Sequence, residues 1–449
     1  MPTHQQLISQ DKLAIYLRTP HTIPHELQTN QTLTKLIQSS LPNNYNFELI
    51  KTIWRIIVLD ARSVALQMPE GLLIYSCIIC DILEQLTGVE CTILGDVVYG
   101  ACCVDDITAK SLHIDLLIHY GHSCLISNDD VLCNVLYIFV TIDIDIQHLI
   151  DTIKYNFTMQ STDDHPAMNQ YDITLGSTIQ FTNSIHRAVP QLKQFYGADN
   201  IHIPQCTPLS SGETLGCTSS KLNIPIQRNI IQIVIFVADG RFHLESLMIN
   251  NPHIQHFYKY DPYNKKLTLE QYLHNDMYGL RQHAVDLAKQ AIQLHINNKH
   301  QQQQKCIVGI ILGTLGRQGS THLLSHIQQL CTQHNIPHII ILLSEINPDK
   351  LLLLSDISFY IQIACPRLSI DWGHAFNKPL LNTYEAELLF TQSDNTTIQS
   401  TSVYPMDYYS KKGGQWTNYT AKQNNNKYMM KHKKPITIEY EHDNTIQVQ

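Results

Sequence analysis

A chain of 449 residues exceeds one ordinary core, so about three domains are expected. Its 43% hydrophobic content suits packed globular units, while a net charge of −8 excludes a general polyanion-binding surface, and nucleic acid as a partner with it. Met1-Pro-Thr-His-Gln-Gln6 has no basic-then-apolar leader, and apolar runs such as 339–343 and 351–354 are far shorter than the ~18 residues of a membrane span.

Residues 1–50, rich in Asn, Gln, Thr and His, read as a partly ordered lead-in with weak helical patterning at 32–41. Regular structure is expected from Lys51. A strand at 63–68 passes through a Pro69-Glu-Gly71 turn into a helix at 72–87 that Gly88 stops. A strand at 91–94 enters Gly95-Asp-Val-Val-Tyr-Gly-Ala-Cys-Cys-Val-Asp-Asp106, and a helix at 104–112 leaves it. Strands follow at 115–119 and 135–140, the first ending in Tyr120-Gly-His-Ser-Cys124. Strands alternating with helices of this length indicate a parallel sheet with helical crossovers. Cys77 and Cys80 continue the apolar stripe of Leu73 on the helix at 72–87. No second Cys-x-x-Cys completes a zinc site, so both read as core thiols.

A second unit begins near Asp172, with a strand at 173–175 and a helix at 184–195. A turn-rich segment ends in Gly212-Glu-Thr-Leu-Gly-Cys217, and a buried strand at 230–237 ends in Asp239-Gly240. That pair is either site-like or a plain turn. A long helix is expected at 269–296. A polar linker, 301–304, leads into the clearest pattern of the chain: a strand at 307–312, Gly313-Thr-Leu-Gly-Arg-Gln-Gly319, a helix at 321–332, a strand at 338–343, a helix opened by Pro348, and a strand at 358–364 that stops at Cys365-Pro366. This is a doubly wound half. Residues 392–402 are Ser/Thr/Asn-rich, and 421–449 read as a disordered, solvated tail. The expected organisation is a lead-in at 1–50, α/β units at 51–158, 159–300 and 301–391, and an extension at 392–449.

A Cys count of 12 in such a chain reads as reduced cytosolic thiols or metal ligands. Cys102, Cys217 and Cys365 each lie beside Gly or Pro at a strand-end turn, one per unit. If the units share a centre, three thiolates suit an iron–sulfur cluster with one open iron, or a three-cysteine zinc site holding water. Three unrelated core thiols is the plain alternative. Gly313-x-x-Gly316-x-x-Gly319 opening a helix lets backbone N–H groups approach an anion, including a carboxylate paired with Arg317; a glycine-rich structural turn fits as well.

Long blocks in consistent order carry a resemblance. Leu66-Gln-Met-Pro-Glu-Gly-Leu72, Gly95 to Asp106, His119-Tyr-Gly-His-Ser-Cys124, Gly212-Glu-Thr-Leu-Gly-Cys-Thr218, Asp239-Gly-Arg-Phe-His-Leu-Glu-Ser246, Leu312 to Gly319 and Ala364-Cys-Pro-Arg-Leu-Ser-Ile-Asp-Trp-Gly373 closely resemble the subunit 1 type of the eukaryotic diphthamide synthase family, the 2-(3-amino-3-carboxypropyl)histidine synthases. The likeness runs from about residue 23 to 417. It implies three similar α/β domains, each a mostly parallel sheet flanked by helices, around a shared central site. Cys102, Cys217 and Cys365 match the positions that hold a 4Fe-4S cluster, while Cys103 and Cys124 do not. The implied chemistry is radical cleavage of S-adenosylmethionine and transfer of a 3-amino-3-carboxypropyl group to a histidine of translation elongation factor 2, with methylthioadenosine as by-product. The usual Cys-x₃-Cys-x₂-Cys of radical enzymes is absent from the chain.

The same resemblance implies a heterodimer with a related subunit 2, a small iron-binding electron donor protein, no nucleic acid or membrane, and a cytoplasmic location. Gly313, Thr314, Gly316, Arg317, Gln318 and Gly319 would suit the S-adenosylmethionine carboxylate, and Asp239 and Asp371 are further site candidates. A non-catalytic assisting subunit and a zinc-bound structural protein stand as competing readings.

Overall fold

The computed structural model describes residues 22–158, 160–162, 165–168, 171–222, 230–297, 306–391, 398 and 403–418. The linker at 301–304, most of 392–402 and the tail at 421–449 lie outside these.

Three sheets organise the chain. The first contains β1 (Ser63–Gln67), β2 (Glu90–Leu94), β3 (Leu116–Tyr120) and β4 (Asn134–Ile138) in the order β2-β1-β3-β4, all parallel. The second contains β5 (Tyr171–Ser177), β6 (Ile201–His202), β7 (Ile231–Val237), β8 (His256–Asp261) and β9 (Lys266–Glu270) in the order β6-β5-β7-β8-β9, with only the β8–β9 pair antiparallel. The third contains β10 (Val308–Gly313), β11 (His338–Leu343), β12 (Phe359–Ile363) and β13 (Leu380–Leu381) in the order β11-β10-β12-β13, all parallel. Each sheet therefore repeats one winding, second strand outside the first and third strand inside it. The central strands β3 and β12 are buried at every residue, as strands covered on both faces are, His119 and Gln362 included.

The helices fill in between. After a single turn at His25–Gln28, they are in chain order α1 (Gln31–Ser40), α2 (Leu49–Leu59), α3 (Ser76–Thr87), α4 (Asp106–Ser111), α5 (Ile146–Asn156), α6 (Thr182–Tyr196), α7 (Phe242–Asn250), α8 (His274–Asn297), α9 (Thr321–Gln333), α10 (Pro348–Leu352), α11 (Arg367–Trp372) and α12 (Thr383–Thr391). Among the described residues no helix is long and apolar enough to cross a membrane.

Several expectations need correction. Regular structure starts well before Lys51: α1 is capped by Asn30, whose side chain accepts from the Leu33 amide, and α2 buries Ile53, Trp54, Ile56 and Ile57 in the core of the first sheet. The helix expected at 72–87 opens as a 3₁₀ stretch, Glu70–Tyr75. Cys77 is exposed and only Cys80 is buried, so the stripe from Leu73 does not run through both cysteines. The long helix expected from 269 begins at His274, and α7 and the β8–β9 hairpin precede it. The hairpin turn is a side-chain device: Asp261 Oδ1 accepts from the Tyr263 and Asn264 amides at 2.9 and 3.1 Å. Packing also crosses the expected divisions. α5, before 158, buries Leu149, Ile150 and Ile153 against Ile173 and Leu175 of the second sheet. α8, before 300, buries Met277, Val285 and Ala288 with Val308, Ile310 and Ile361 of the third.

Candidate metal centre

The three sheets present their carboxyl ends to a common region, where open α/β sheets form sites. Cys102 sits in a single 3₁₀ turn, Ala101–Cys103, beyond β2. Cys217 lies in the loop between β6 and β7, and Cys365 directly follows β12, its carbonyl accepting from Gln362 Nε2 at 2.9 Å and the Leu368 amide at 3.1 Å. Two of the cysteines thus follow the second strand of their sheet and one follows the third.

The sulfurs share one desolvated environment. Cys102 is half-buried, and its sulfur's interaction with Cys103, desolvation and the charges of Cys103, Cys217 and Cys365 together hold its pKa well above the ordinary thiol value. Burial pushes Cys217 up to about 12, with Cys365 adding to it. Burial likewise raises Cys365, opposed by the Arg367 amide and guanidinium. The buried Tyr409 phenol is held well above its usual value, first by burial and then by Cys102, Cys217, Cys365 and Cys103 together. Cys103 is different: the hydrogen bond from Cys102, the Gly100 and Tyr99 amides and Gln318 lower it to about 7, against the effect of its burial. Its sulfur accepts from Gln318 Nε2 at 3.4 Å, under the turn.

Three neighbouring, partly desolvated thiols do not ionise together readily without a positive centre to offset their mutual repulsion. A metal centre would supply that charge, and the thiolate is the ligand form. Among the described residues no three His, Cys, Asp or Glu side chains close on a point as one metal ion requires. Three thiolate donors are the ligand type of iron–sulfur clusters and of zinc sites alike.

The glycine loop does something other than wait for an anion. Gly316 has φ +54°, and a Cβ there would meet the Cys103 carbonyl carbon at 2.5 Å. The Arg317 amide donates to the Cys102 carbonyl at 2.8 Å. The loop is therefore docked against the turn that carries Cys102. Gly313 abuts Ala364, just ahead of Cys365, where a Cβ would meet Ala364 Cβ at 2.6 Å, and the Thr314 amide donates to the Leu343 carbonyl at 2.9 Å. The Arg317 fork expected to face a carboxylate ligand is taken: Nε and Nη2 donate to the two Asp106 oxygens at 2.7 and 2.5 Å. A cavity of about 190 Å³ remains at the start of α9, its lining including Asp130, Arg317, Gly319, Ser320, His322 and Tyr409.

Residues 68–401 match the family described as "Putative diphthamide synthesis protein". The chain belongs to the diphthamide synthesis family. It is 49% identical over 401 residues to 2-(3-amino-3-carboxypropyl)histidine synthase subunit 1 of Dictyostelium discoideum, covering 89% of this chain and 78% of that protein. The mouse and human proteins of the same name are 46% and 45% identical over 403 residues, each alignment covering 89% of this chain and 83% of the relative. The resemblance to subunit 1 is borne out, and with it the expectation of an enzyme subunit. A crystal structure of Dph2 from Pyrococcus horikoshii shares the fold, with TM-score 0.58 and 21% identity over 77% of this chain and 91% of that one. A second structure, described as that protein with a 4Fe-4S cluster, matches with the same score over 78% and 93% of the two chains.

The two predicted aspartates are placed differently. Asp239 is exposed at the end of β7, its carbonyl accepting from Lys259 Nζ at 3.4 Å, and no contact among the described residues joins it to the cysteines. Asp371 accepts from Arg367 Nε at 2.9 and 2.8 Å. Arg367 itself was not singled out by sequence reasoning. It is 3% exposed, bonds Glu245 Oε2 at 2.6 Å, the Phe242 carbonyl at 2.9 Å and the Gly216 carbonyl at 3.3 Å, and lies over the Phe242 ring at 4.4 Å. It thereby ties the residue before Cys217 to the helix after Cys365. The signal available was its place in Cys365-Pro-Arg367.

Tyr409 is the second omission, because the extension beyond 392 carried no strand or helix pattern. Its amide donates to Thr218 Oγ1 at 3.0 Å, and the Tyr408 amide donates to the Cys217 carbonyl at 3.3 Å. A third is Gln67, at the end of β1. It donates to the Cys103 carbonyl at 2.9 Å and accepts from the Asp105 amide at 3.1 Å, while His119 Nδ1 sits 2.8 Å from its oxygen. His119 stacks near His122 at 5.5 Å, and burial lowers His119 well below its usual value and brings His122 and His243 to about 4, so all three imidazoles are neutral at pH 7.

Proposed function

We propose that this chain is the cluster-bearing subunit of a diphthamide synthase, transferring a 3-amino-3-carboxypropyl group from S-adenosylmethionine to a histidine of elongation factor 2 by a radical mechanism. The observation that carries this is the meeting of Cys102, Cys217 and Cys365, one beyond a strand of each sheet, half-buried beside the buried Tyr409 and close enough to act on one another's charge. Those three thiolates would hold a 4Fe-4S cluster, which when bound supplies the electron that cleaves the sulfur–carbon bond of S-adenosylmethionine.

The chain's own residues set the conditions. Arg367 places a buried cation beside Cys217 and Cys365 and favours their thiolate forms. The loop at 313–319 fixes the Cys102 turn, and the backbone amides of Tyr408 and Tyr409 hold Cys217 and Thr218 in place. The cavity beside Gly319 and Ser320, at the N-terminus of α9, is the place proposed for the carboxylate end of S-adenosylmethionine, received by backbone N–H groups. A companion subunit, an iron-binding electron donor and a cytoplasmic setting complete this reading.

Anaerobic purification with iron, sulfide and zinc assays tests it. Near-equal iron and sulfide, about four of each per chain, together with loss of both and of transfer to elongation factor 2 in Cys217→Ala, is the expected result. Stoichiometric zinc without sulfide would leave the structural-protein reading. Undiminished transfer by Cys217→Ala beside a wild-type companion would leave the assisting-subunit reading.

A further inference from the structure

The second strand forms the edge of all three sheets, and the three edges are treated differently. β6 is only two residues long. β2 starts with Glu90, and its remaining residues, 91–94, are half-buried or buried. β11 is six residues long, and after His338 it is Ile339-Ile-Ile-Leu-Leu343, without charge, proline or glycine. Ile339, Ile340 and Leu342 are 44%, 46% and 61% exposed, and Leu352 and Leu353, at and just beyond the end of the following helix, are 58% and 82% exposed. Among the described residues β11 pairs with β10 alone. Natural proteins blunt such edges with charge, proline or brevity, because bare backbone donors and acceptors on an apolar strand recruit another strand.

We infer that the β11 edge, with Ile340 and Leu342, is the docking surface for the companion subunit, through an edge strand of its own sheet. The inference rests on the proposed function, in which the chain works with a companion, as the name subunit 1 of its relatives requires. The geometry selects a strand as the docking element: the free groups of β11 run along one line, and only an extended backbone meets them in register. The apolar side chains beside that line select a permanent partner, since an exposed edge of this kind makes an isolated chain self-associate.

The test is Ile340→Asp with Leu342→Asp in the full chain, co-purified with the companion. Both side chains point outward, so the monomer should melt as wild type does. The expected result is an affinity for the companion weakened by about 100-fold, and slowed amide exchange at 338–343 in the wild-type complex only. Unchanged affinity overturns the proposal. So does protection of 338–343 in the isolated chain that disappears when residues 419–449 are deleted, which would make the tail the occupant. A wild-type homodimer broken by the same changes, with no binding to the companion, assigns the edge to a second copy and also overturns it. Iron and sulfide are measured on the same samples: a chain that binds its companion through this edge yet holds no cluster defeats the proposed function and leaves this inference standing.

Discussion

Arg317 grips both oxygens of Asp106, at 2.7 and 2.5 Å, so the loop after β10 is bolted to the first turn of α4. Asp106 is fully buried and also accepts from the Leu132 amide at 2.6 Å. The pair joins the first sheet to the third beside Cys102. Arg317→Ala is expected to lower stability by about 3 kcal/mol, because it strands a buried carboxylate. Thermal melting and iron retention should fall together. A fork meant for a ligand would behave otherwise, weakening S-adenosylmethionine binding at unchanged melting temperature.

Gly316 gives a sharper test of the same joint. A methyl group there would press on the Cys103 backbone, and φ of +54° already disfavours any other residue. Neither neighbour is a flexible side-chain end, so the loop must move. Gly316→Ala should cost about 2 kcal/mol or more and release the Cys102 turn. The measurement is the iron-to-protein ratio after anaerobic reconstitution, expected to fall while far-ultraviolet circular dichroism stays close to wild type.

Arg367 is predicted to act on the thiolates as well as on the fold. Arg367→Met removes the buried cation and leaves Asp371 and Glu245 facing each other, since both bond to it. Both stability and cluster loading should drop. Arg367→Lys separates the two effects: the charge stays while the four-way fork is lost. Partial recovery of iron content in the lysine variant, with melting still depressed, is the expected pattern. Equal loss of iron in both variants would mean that shape alone matters.

The buried imidazoles set an acid limit. His122 and His243 are held at about 4, against an unfolded value near 6.5, with burial as the main cause, and His119 is depressed by the same cause. The folded state therefore binds fewer protons than the unfolded one between these values. Stability from keeping these rings neutral is complete above pH ~6.5 and is lost as pH falls toward 4, on the order of 3 kcal/mol for each of His122 and His243. Melting temperature followed from pH 7.5 to 4.5 should fall steeply below 6.5. His243→Phe should flatten the fall if the ring packs as well.

Much of the fold was legible in the sequence because the deciding signals are local. Runs such as Ile307 to Leu312 and Phe359 to Ile363, separated by amphipathic stretches and capped by Gly or Pro, specify parallel strands and crossovers with no knowledge of the rest of the chain. The β8–β9 hairpin was not legible, since Lys266–Glu270 is short and borders a helix in a polar region, and its turn depends on where the Asp261 side chain folds back. The helix α1, before Lys51, was obscured by polar composition, whereas α2, which spans that residue, is strongly apolar on its buried face.

For the site, the sequence by itself determined the donors: three cysteines beside Gly or Pro at strand ends, in blocks shared with one family. Only the tertiary structure decided what those donors rely on. Arg367 reaches Gly216 and Glu245, far away along the chain; Tyr409 arrives from an extension with no periodic pattern; and the glycine loop spends its close approach on Cys103. The reason is physical. Hydrophobic period and turn chemistry act over a few residues, whereas burial, ion pairing and the raised thiol pKa values arise only when strand ends from three sheets are packed against one another.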